Sequence, residues 1–147
     1  CLGAGLEVAA CCDLRVASAD ATFGMPEVRV GIPSVIEAAL LPSLIGLGRT
    51  KQLVLTGESI SAEEAARWGL VDRVVTKREL AEATHHWASA IGAAGSHAIR
   101  LQKALLRRWE DLPPNRAVEE GILSFGRAFE TDEPQRRMRA FLDRKRN

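Results

Sequence analysis

Short apolar runs separated by glycine and proline turns occupy the first 33 residues. A Gly3-Ala4-Gly5 turn leads into the apolar run Leu6–Cys12, whose residues favour about two turns of helix. Apolar and polar residues alternate over residues 14–18, as they do in a strand with one buried face. A series of turns is then predicted at Gly24, Pro26, Gly31 and Pro33.

The middle of the chain is predicted to contain three helices and a second strand. Apolar runs indicate the first two helices, and the first of these is expected to be buried. A capping box, followed by a glycine in the usual position of a helix C-terminus, indicates the third. In chain order the elements are residues 34–46, residues 48–56, a short helix between Ser61-Ala62-Glu63-Glu64 and Gly69, and strand residues 70–75.

From Lys77 onward the pattern is helical throughout, and Pro113-Pro114 separates two of the helices. Three apolar stripes recur at helical spacing, each of which predicts a face packed in a core. The stripes are Leu80, Ala83, Trp87 and Ile91, then Leu101, Leu105, Trp109 and Leu112, then Val118, Ile122, Phe125 and Phe129.

The predicted strands are too few for these apolar helices. Two or three short strands cannot form a sheet with its own core, yet the helices between residues 34 and 70 are too apolar to stand free. An upstream segment or another subunit would supply the missing partner. The pattern therefore predicts part of a larger fold.

Composition narrows the possible partners. The 147 residues carry 20 basic and 19 acidic side chains, for a formal charge of +1, which argues against a dedicated nucleic-acid binder. No apolar run approaches the roughly 18 residues that span a membrane, so no membrane partner is expected. The three cysteines, two of them adjacent, do not resemble a disulfide framework. A reducing intracellular compartment is favoured, whether cytoplasmic, mitochondrial or peroxisomal.

Two carboxylates stand out as candidate proton-handling groups. Glu7 lies among apolar residues in the first turn of the first helix, where it could either complement the helix dipole or serve a buried site. Glu27 follows the rigid turn Phe23-Gly24-Met25-Pro26. Two carboxylates on separate turns could share one water, one acting as base and the other as acid. The Gly3-Ala4-Gly5 turn could stabilise an oxyanion through its free amides, although such turns also commonly serve only to connect elements.

Several blocks in order along the chain resemble the crotonase superfamily of enoyl-CoA hydratases and isomerases. The first is Leu2-Gly3-Ala4-Gly5-Leu6-Glu7-Val8-Ala9-Ala10-Cys11-Cys12-Asp13. It is followed by Ala21-Thr22-Phe23-Gly24-Met25-Pro26-Glu27-Val28, by Leu55 to Ala62, by Ala65 to Val71, and by Phe129 to Lys145. Together these blocks span essentially the whole chain.

The resemblance implies an α/β fold built as a spiral of ββα units, with a helical C-terminal region that supports assembly into a trimer or a pair of trimers. Residues 1–76 would be the C-terminal part of that core, and residues 77–147 the oligomerisation region. The partner would be an acyl thioester of coenzyme A, with no separate cofactor. Ala4, where relatives usually have Gly, would provide one of two amides that hold the thioester carbonyl, and the other would lie upstream.

The resemblance further implies that Glu7 and Glu27 are the hydratase pair. Glu27 would donate a proton to the α-carbon, and Glu7 would help to activate water. Isomerases of the family typically keep only the equivalent of Glu27, so the pair favours an enoyl-CoA hydratase-like lyase. Another reaction on the same enolate, or a non-catalytic oligomerising remnant, are the alternatives. Residues 1–147 alone, lacking the second amide, are expected to be inactive.

One segment departs from the family pattern. Where relatives commonly have Pro-Gly-x-Gly-Gly-Thr, this chain has Pro33-Ser34-Val35-Ile36-Glu37-Ala38. Ser34 could still seat the water through its backbone amide. Glu37 is a third carboxylate that could either alter the reaction or pair structurally with an arginine. The identity of the reaction therefore depends on this segment.

Residues near the C-terminus match coenzyme A contacts of relatives. Phe125 corresponds to an adenine contact and Arg144 to a phosphate contact, although Phe125 also lies on a predicted core stripe and Arg144 is one of many cations. No metal site is expected, because adjacent His85 and His86 lack the spacing of a helical ligand pair.

Overall fold

The computed structural model describes residues 1–144, except for the side chain of Arg144. It divides the chain into two compact units, Cys1–His85 and His86–Asn147. The first unit contains all four strands of the described residues and most of the buried side chains, while the second is helical. Each unit is described by itself below.

The first unit begins with α1 (Ala4–Ala10), β1 (Val16–Ser18) and β2 (Thr22–Gly24). Two 3₁₀ helices follow, Pro26–Val30 and Ile36–Leu40. The remaining elements are α2 (Leu41–Ile45), α3 (Leu47–Thr56), β3 (Ser59–Ser61), α4 (Ala62–Trp68), β4 (Arg73–Val75) and the start of α5 (Leu80–Ala93).

The strands pair in two separate two-stranded sheets. Strand β1 pairs in parallel with β4, and β2 pairs antiparallel with β3. The strands predicted at residues 14–18 and 70–75 are therefore confirmed, although each is only three residues long. The sequence pattern missed β2 and β3, because Gly24 indicates a turn and Ser61 a helix N-cap, and each of these residues ends one of the two strands.

A single apolar cluster holds the first unit together. Its largest fully buried side chains come from five different segments, so that burial ties distant parts of the chain to one another. Each such side chain contributes roughly 1.5–3 kcal/mol of transfer free energy. They are Leu6, Met25, Leu41, Leu53 and Leu70.

The single buried helix predicted over residues 34–46 is wrong. The segment instead forms an extended stretch, the second 3₁₀ helix and the short α2. Ile36 has a positive φ of 51°, which interrupts any continuous right-handed helix. Pro42 lies in the first turn of α2, where its missing N–H costs nothing. The segment is only partly buried, with Ala38, Leu41 and Ile45 in the core.

The predicted ends of α4 at Ser61 and Gly69 are confirmed, whereas the carboxylate of Glu64 accepts hydrogen bonds from side chains of its own helix instead of closing the capping box. The hydroxyl of Ser61 accepts a hydrogen bond from the Glu64 amide at 3.2 Å. Gly69 ends the helix with a φ of 84°, in the left-handed conformation that favours glycine. The carboxylate of Glu64 also accepts a hydrogen bond from the Trp68 ring nitrogen at 2.8 Å, a contact within α4.

The second unit contains the end of α5, then α6 (Ser96–Asp111), α7 (Pro114–Ala128) and α8 (Glu133–Arg144). The junction between α5 and α6 is tied to α8. Glu133 accepts hydrogen bonds from the amides of His97 and Ala98 at 3.3 and 3.1 Å. Arg137 donates to the carbonyls of Ala93 and Ala94 at 2.8 and 2.7 Å. The Glu133 carboxylate thus accepts from free amides at the start of α6, and the Arg137 guanidinium donates to free carbonyls at the end of α5.

The prediction that the third apolar stripe packs in a core is wrong for the described residues. Its residues on α7 are exposed, and Phe125 is 69% accessible. Phe125 contacts Phe129 edge to face, with 5.3 Å between the ring centroids. Helices α6 and α7 instead pack through other contacts, among them the hydrogen bond from the Trp109 ring nitrogen to the Ala117 carbonyl at 3.0 Å and an ion pair between Arg108 and Glu120.

Candidate active site

Strand β2 holds the Gly3-Ala4-Gly5 turn in place. Leu2 forms an isolated parallel bridge with Gly24, in which the Gly3 amide donates to the Gly24 carbonyl at 2.9 Å. The Gly24 amide in turn donates to the Cys1 carbonyl at 3.3 Å. Gly3 has φ 54° and ψ −126°, a conformation open to glycine alone, and it caps the N-terminus of α1. These hydrogen bonds therefore hold the backbone at the N-terminal end of α1.

The amide of Ala4 is left available by this arrangement. Gly3, Gly5 and Leu6 donate their amides to backbone carbonyls, at 2.9, 3.0 and 2.8 Å respectively. Among the described residues no hydrogen bond uses the Ala4 N–H. A free amide at the first position of a helix is a donor suited to an oxyanion, because its direction is fixed and the helix dipole adds to its field.

Glu7 lies in the first turn of α1 and is half-buried. The expectation that its whole surroundings are buried is only partly met. Leu6 and Ala10 enter the core, whereas Val8, Cys11 and Cys12 are exposed. Because successive side chains of a helix are rotated by about 100°, Glu7, the residue after buried Leu6, stands at the edge of the buried face of α1.

Glu27 is carried by a short, well-anchored helix. Met25, fully buried, and Pro26 precede it, and the 3₁₀ helix ends at Gly31 in the left-handed conformation. The side chain of Glu27 is half-buried. Glu27 is thus held by a buried anchor before it and a tight turn after it.

Two residues define the position of the Glu27 carboxylate. The Ser34 hydroxyl donates a hydrogen bond to Oε2 at 3.0 Å. The other oxygen, Oε1, lies so close to the α-carbon of Gly3 that a Cβ at position 3 would be 2.5 Å from it. The carboxylate therefore rests against the turn that presents the Ala4 amide and that opens the helix of Glu7.

Glu37 lies on an element that packs against α1, the helix that carries Glu7. It is half-buried in the first turn of the second 3₁₀ helix, which packs against α1. Desolvation is the main reason that the pKa of the Cys11 thiol is raised, although the residue is exposed overall. Charge repulsion from Glu37, Cys12 and Glu7 raises that pKa further. A raised pKa keeps the thiol protonated, which disfavours Cys11 as a nucleophile.

The segment that carries Ser34 and Glu37 is conformationally unusual. Val35 is extended, and Ile36 then adopts a φ of 51° although it is β-branched and 71% exposed. This conformation costs a β-branched residue roughly 1–3 kcal/mol. The position falls within the segment that departs from the family pattern, where relatives commonly have glycine.

The residues predicted to contact coenzyme A lie in the second unit. Phe125 is exposed on α7, so its ring is available to a ligand or a partner. Arg144 ends α8, and its side chain lies outside the described residues. Both roles stay predictions.

No group of three or more His, Cys, Asp or Glu side chains in residues 1–144 has the arrangement of a metal site. None of the described helices combines the length and apolar character of a membrane span. The three cysteines are free thiols.

Two supports of Glu27 could not be recognised from the sequence pattern. Ser34 was expected to act through its amide, whereas its hydroxyl contacts the carboxylate seven residues earlier. Gly3 was interpreted as a turn residue, and its contact with Glu27 was not foreseen. The signals present were a hydroxyl where relatives commonly have glycine and a glycine next to the proposed oxyanion donor.

The chain matches known proteins along its whole length. The family model for enoyl-CoA hydratase/isomerase matches residues 1–147. A crotonyl-CoA hydratase from Syntrophomonas wolfei is 40% identical over 146 residues, covering 99% of this chain and 56% of that protein. A short-chain-enoyl-CoA hydratase from Clostridium acetobutylicum is 36% identical over 146 residues, with coverage of 99% and 56%.

A solved structure of an enoyl-CoA hydratase has the same fold as this chain. The crystal structure of an enoyl-CoA hydratase from Bacillus anthracis superposes with a TM-score of 0.92 and 31% sequence identity. The alignment covers 97% of this chain and 56% of that one. The predicted α/β class is confirmed, and the chain spans about half the length of the relatives that it matches. The ββα spiral and the oligomerising role of residues 77–147 stay predictions.

Proposed function

Because the chain belongs to the enoyl-CoA hydratase/isomerase family, we propose that it carries the proton-handling side of an active site for reversible hydration of a 2-enoyl-CoA thioester. The observation that carries the proposal is the position of Glu27, whose Oε1 lies against Gly3 beside the free Ala4 amide. A proton donor and an oxyanion donor are thus neighbours, as proton transfer to the carbon next to a carbonyl requires.

The proposed hydration is a balanced addition of one water. The water oxygen bonds to the β-carbon while Glu7 accepts a proton from it, and the double-bond electrons move toward the thioester carbonyl. The Ala4 amide stabilises the resulting enolate oxygen. Protonated Glu27 then gives its proton to the α-carbon. Passage of the Glu7 proton to Glu27 restores the starting state, so one water is consumed.

The thioester carbonyl needs a second amide donor in this scheme, and a segment outside residues 1–147 would supply it. Residues 1–147 are therefore expected to be inactive by themselves. Phe125, which is exposed, would contact the adenine of coenzyme A, and Arg144 would contact a phosphate. The second unit would support a trimer or hexamer. Guanidinium geometry suits a phosphate group.

A second candidate reaction rests on Glu37. Glu37 is a third carboxylate, half-buried on a 3₁₀ helix that packs against α1, the helix of Glu7. An extra proton-transfer group could divert the same enolate to isomerisation, decarboxylation or thioester hydrolysis. Comparing crotonyl-CoA hydration by the wild type and Glu37→Gln separates the candidates, because a hydratase that does not use Glu37 in catalysis keeps its activity.

The primary test replaces each carboxylate of the proposed pair in the protein that contains this chain and its upstream residues. Glu27→Gln and Glu7→Gln should each lower kcat for crotonyl-CoA hydration by about 10²- to 10⁴-fold. The control is Glu63→Gln, an exposed carboxylate in the first turn of α4, which should leave kcat unchanged. Absence of hydration of any enoyl-CoA by the wild type would contradict the proposal.

A further inference from the structure

The two oxygens of the Glu27 carboxylate have different surroundings. Oε2 accepts the Ser34 hydroxyl, whereas Oε1 borders the Gly3 α-carbon beside the Ala4 amide. We propose that Ser34 is a positioning residue that holds Oε2, so that Oε1 is the oxygen that transfers the proton to the α-carbon. This inference rests on the proposed hydratase function.

The hydrogen bond is of a kind that fixes a side chain. The Ser34–Glu27 contact is partly buried at 3.0 Å, and a hydrogen bond to a carboxylate is stronger than one between neutral groups. A carboxylate held at one oxygen and packed against a backbone at the other has little freedom to rotate. The hydroxyl would therefore reduce the number of Glu27 orientations to one.

The position of Oε1 agrees with the geometry of the reaction. The α-carbon is bonded directly to the carbonyl carbon, so a proton donor to it must lie next to the group that holds the carbonyl oxygen. Oε1 meets that condition because Gly3 immediately precedes Ala4. Oε2 is occupied by Ser34 on the side of the following loop.

The loop around Ser34 is suited to this role. Pro33 precedes the serine, and the extended Val35 and left-handed Ile36 follow it. Proline fixes its own backbone angle and restricts the residue before it. The serine hydroxyl is thus presented from a constrained backbone. A glycine at this position could not make the contact.

The test uses three variants at one position, in the protein that contains this chain and its upstream residues. Ser34→Ala and Ser34→Gly remove the hydroxyl, and Ser34→Thr keeps it. Ser34 lies outside regular helices and strands, so all three are expected to fold, which circular dichroism checks. Ser43→Ala, at an exposed position on α2, is the matched control.

Two readouts distinguish positioning from a merely structural role. The first is the split between kcat and KM for crotonyl-CoA, where loss of the hydroxyl should lower kcat about ten- to a hundredfold and leave KM unchanged. The second is hydration in D₂O, which places one deuterium on the α-carbon. The wild type and Ser34→Thr should give one diastereomer, and the other two variants a mixture.

The outcomes are separable from those of the proposed function. If wild-type protein hydrates crotonyl-CoA but Ser34→Ala and Ser34→Gly keep both kcat and stereospecificity, the assignment of the two oxygens is wrong while the hydratase proposal stands. A Ser34→Thr variant as impaired as Ser34→Ala would also overturn it. If Ser34→Ala does not fold, Ser34→Gly decides the question by the same two readouts.

Discussion

The α-carbon of Gly3 lies directly against the carboxylate of Glu27, and a Cβ on Gly3 would be 2.5 Å from Oε1. The contact joins the start of α1 to the 3₁₀ helix that follows β2. Gly3 is therefore required twice, once for its positive φ and once for the space that the carboxylate occupies.

Replacing Gly3 with alanine should damage both stability and activity. The backbone strain is expected to lower the free energy of unfolding by about 1–3 kcal/mol. Displacement of Glu27 should lower kcat for crotonyl-CoA by roughly 10²-fold. Urea unfolding and the hydration assay measure the two effects.

The matched control for this variant is Gly5→Ala, two residues further on. Gly5 lies in α1 with no atom near enough to meet a Cβ. The substitution should raise the free energy of unfolding by up to about 1 kcal/mol, because alanine is the better helix former. If Gly3→Ala behaves like Gly5→Ala, the close approach to Glu27 has no consequence for catalysis.

The role of the Ala4 amide can be tested with proline, whose ring carbon takes the place of the amide hydrogen. Ala4 is the first residue of α1, a position at which proline is well tolerated. Ala4→Pro should keep the fold and lower kcat/KM by about 10²- to 10³-fold, as loss of one oxyanion donor does elsewhere. Ala4→Gly, which keeps the amide, should remain within severalfold of wild type. Equal activity of the two variants would exclude this amide as an oxyanion donor.

The protein should be more stable with glycine in place of Ile36. Its φ of 51° is strained for a β-branched side chain that is mostly exposed and contributes little burial. Ile36→Gly is therefore expected to raise the free energy of unfolding by up to about 1 kcal/mol in urea titrations. Val35→Gly is the control, because Val35 has a φ of −132° that any residue adopts. That variant should lose about 1 kcal/mol instead. Destabilisation by both would show that Ile36 is not strained.

The second unit should lose stability in acid through Glu133. The hydrogen bond from the Ala98 amide, and then that from His97, holds the pKa of Glu133 below its usual value of 4.5. A depressed pKa in the folded state means that the stabilisation is complete above about pH 4.5 and is lost as pH falls through the folded value. Urea midpoints measured between about pH 7 and pH 3 should therefore fall more steeply for the wild type than for Glu133→Gln.

The exposed Glu130 provides the comparison for this experiment. Glu130→Gln, just before α8, should retain the wild-type pH dependence. Parallel curves for the wild type and Glu133→Gln would mean that the cap on the α5–α6 junction contributes no linkage to proton binding.

Local signals in the sequence were sufficient where a few neighbouring residues decide the structure. The capping box at Ser61 and the glycine at position 69 predict both ends of α4, because each acts through the backbone next to it. The residue types at Glu7 and Glu27, with the blocks around them, predict the family. These features need no knowledge of distant contacts.

Features that depend on contacts distant along the chain could not be predicted in the same way. The apolar pattern of residues 34–46 is compatible with a helix, and it does not reveal the extended Val35, the positive φ of Ile36 or the 3₁₀ helix that precedes α2. The apolar stripe on α7 predicts that this face packs against a partner, but the pattern does not show whether the partner belongs to this chain. In the described residues that face is exposed. The Ser34 contact with Glu27 likewise depends on how the intervening turn folds.

The candidate groups for proton transfer and their supports all lie between residues 3 and 37. A contiguous segment of this kind can be exchanged between relatives as one piece, because the carboxylates travel with the glycine and the serine that orient them. The bridge between Leu2 and Gly24 travels with the segment or its immediate border, and the recipient must supply a strand equivalent to β3 and the rest of the apolar core. Reaction preference could thus be transferred by a single recombination event, while the helical second unit remained that of the recipient.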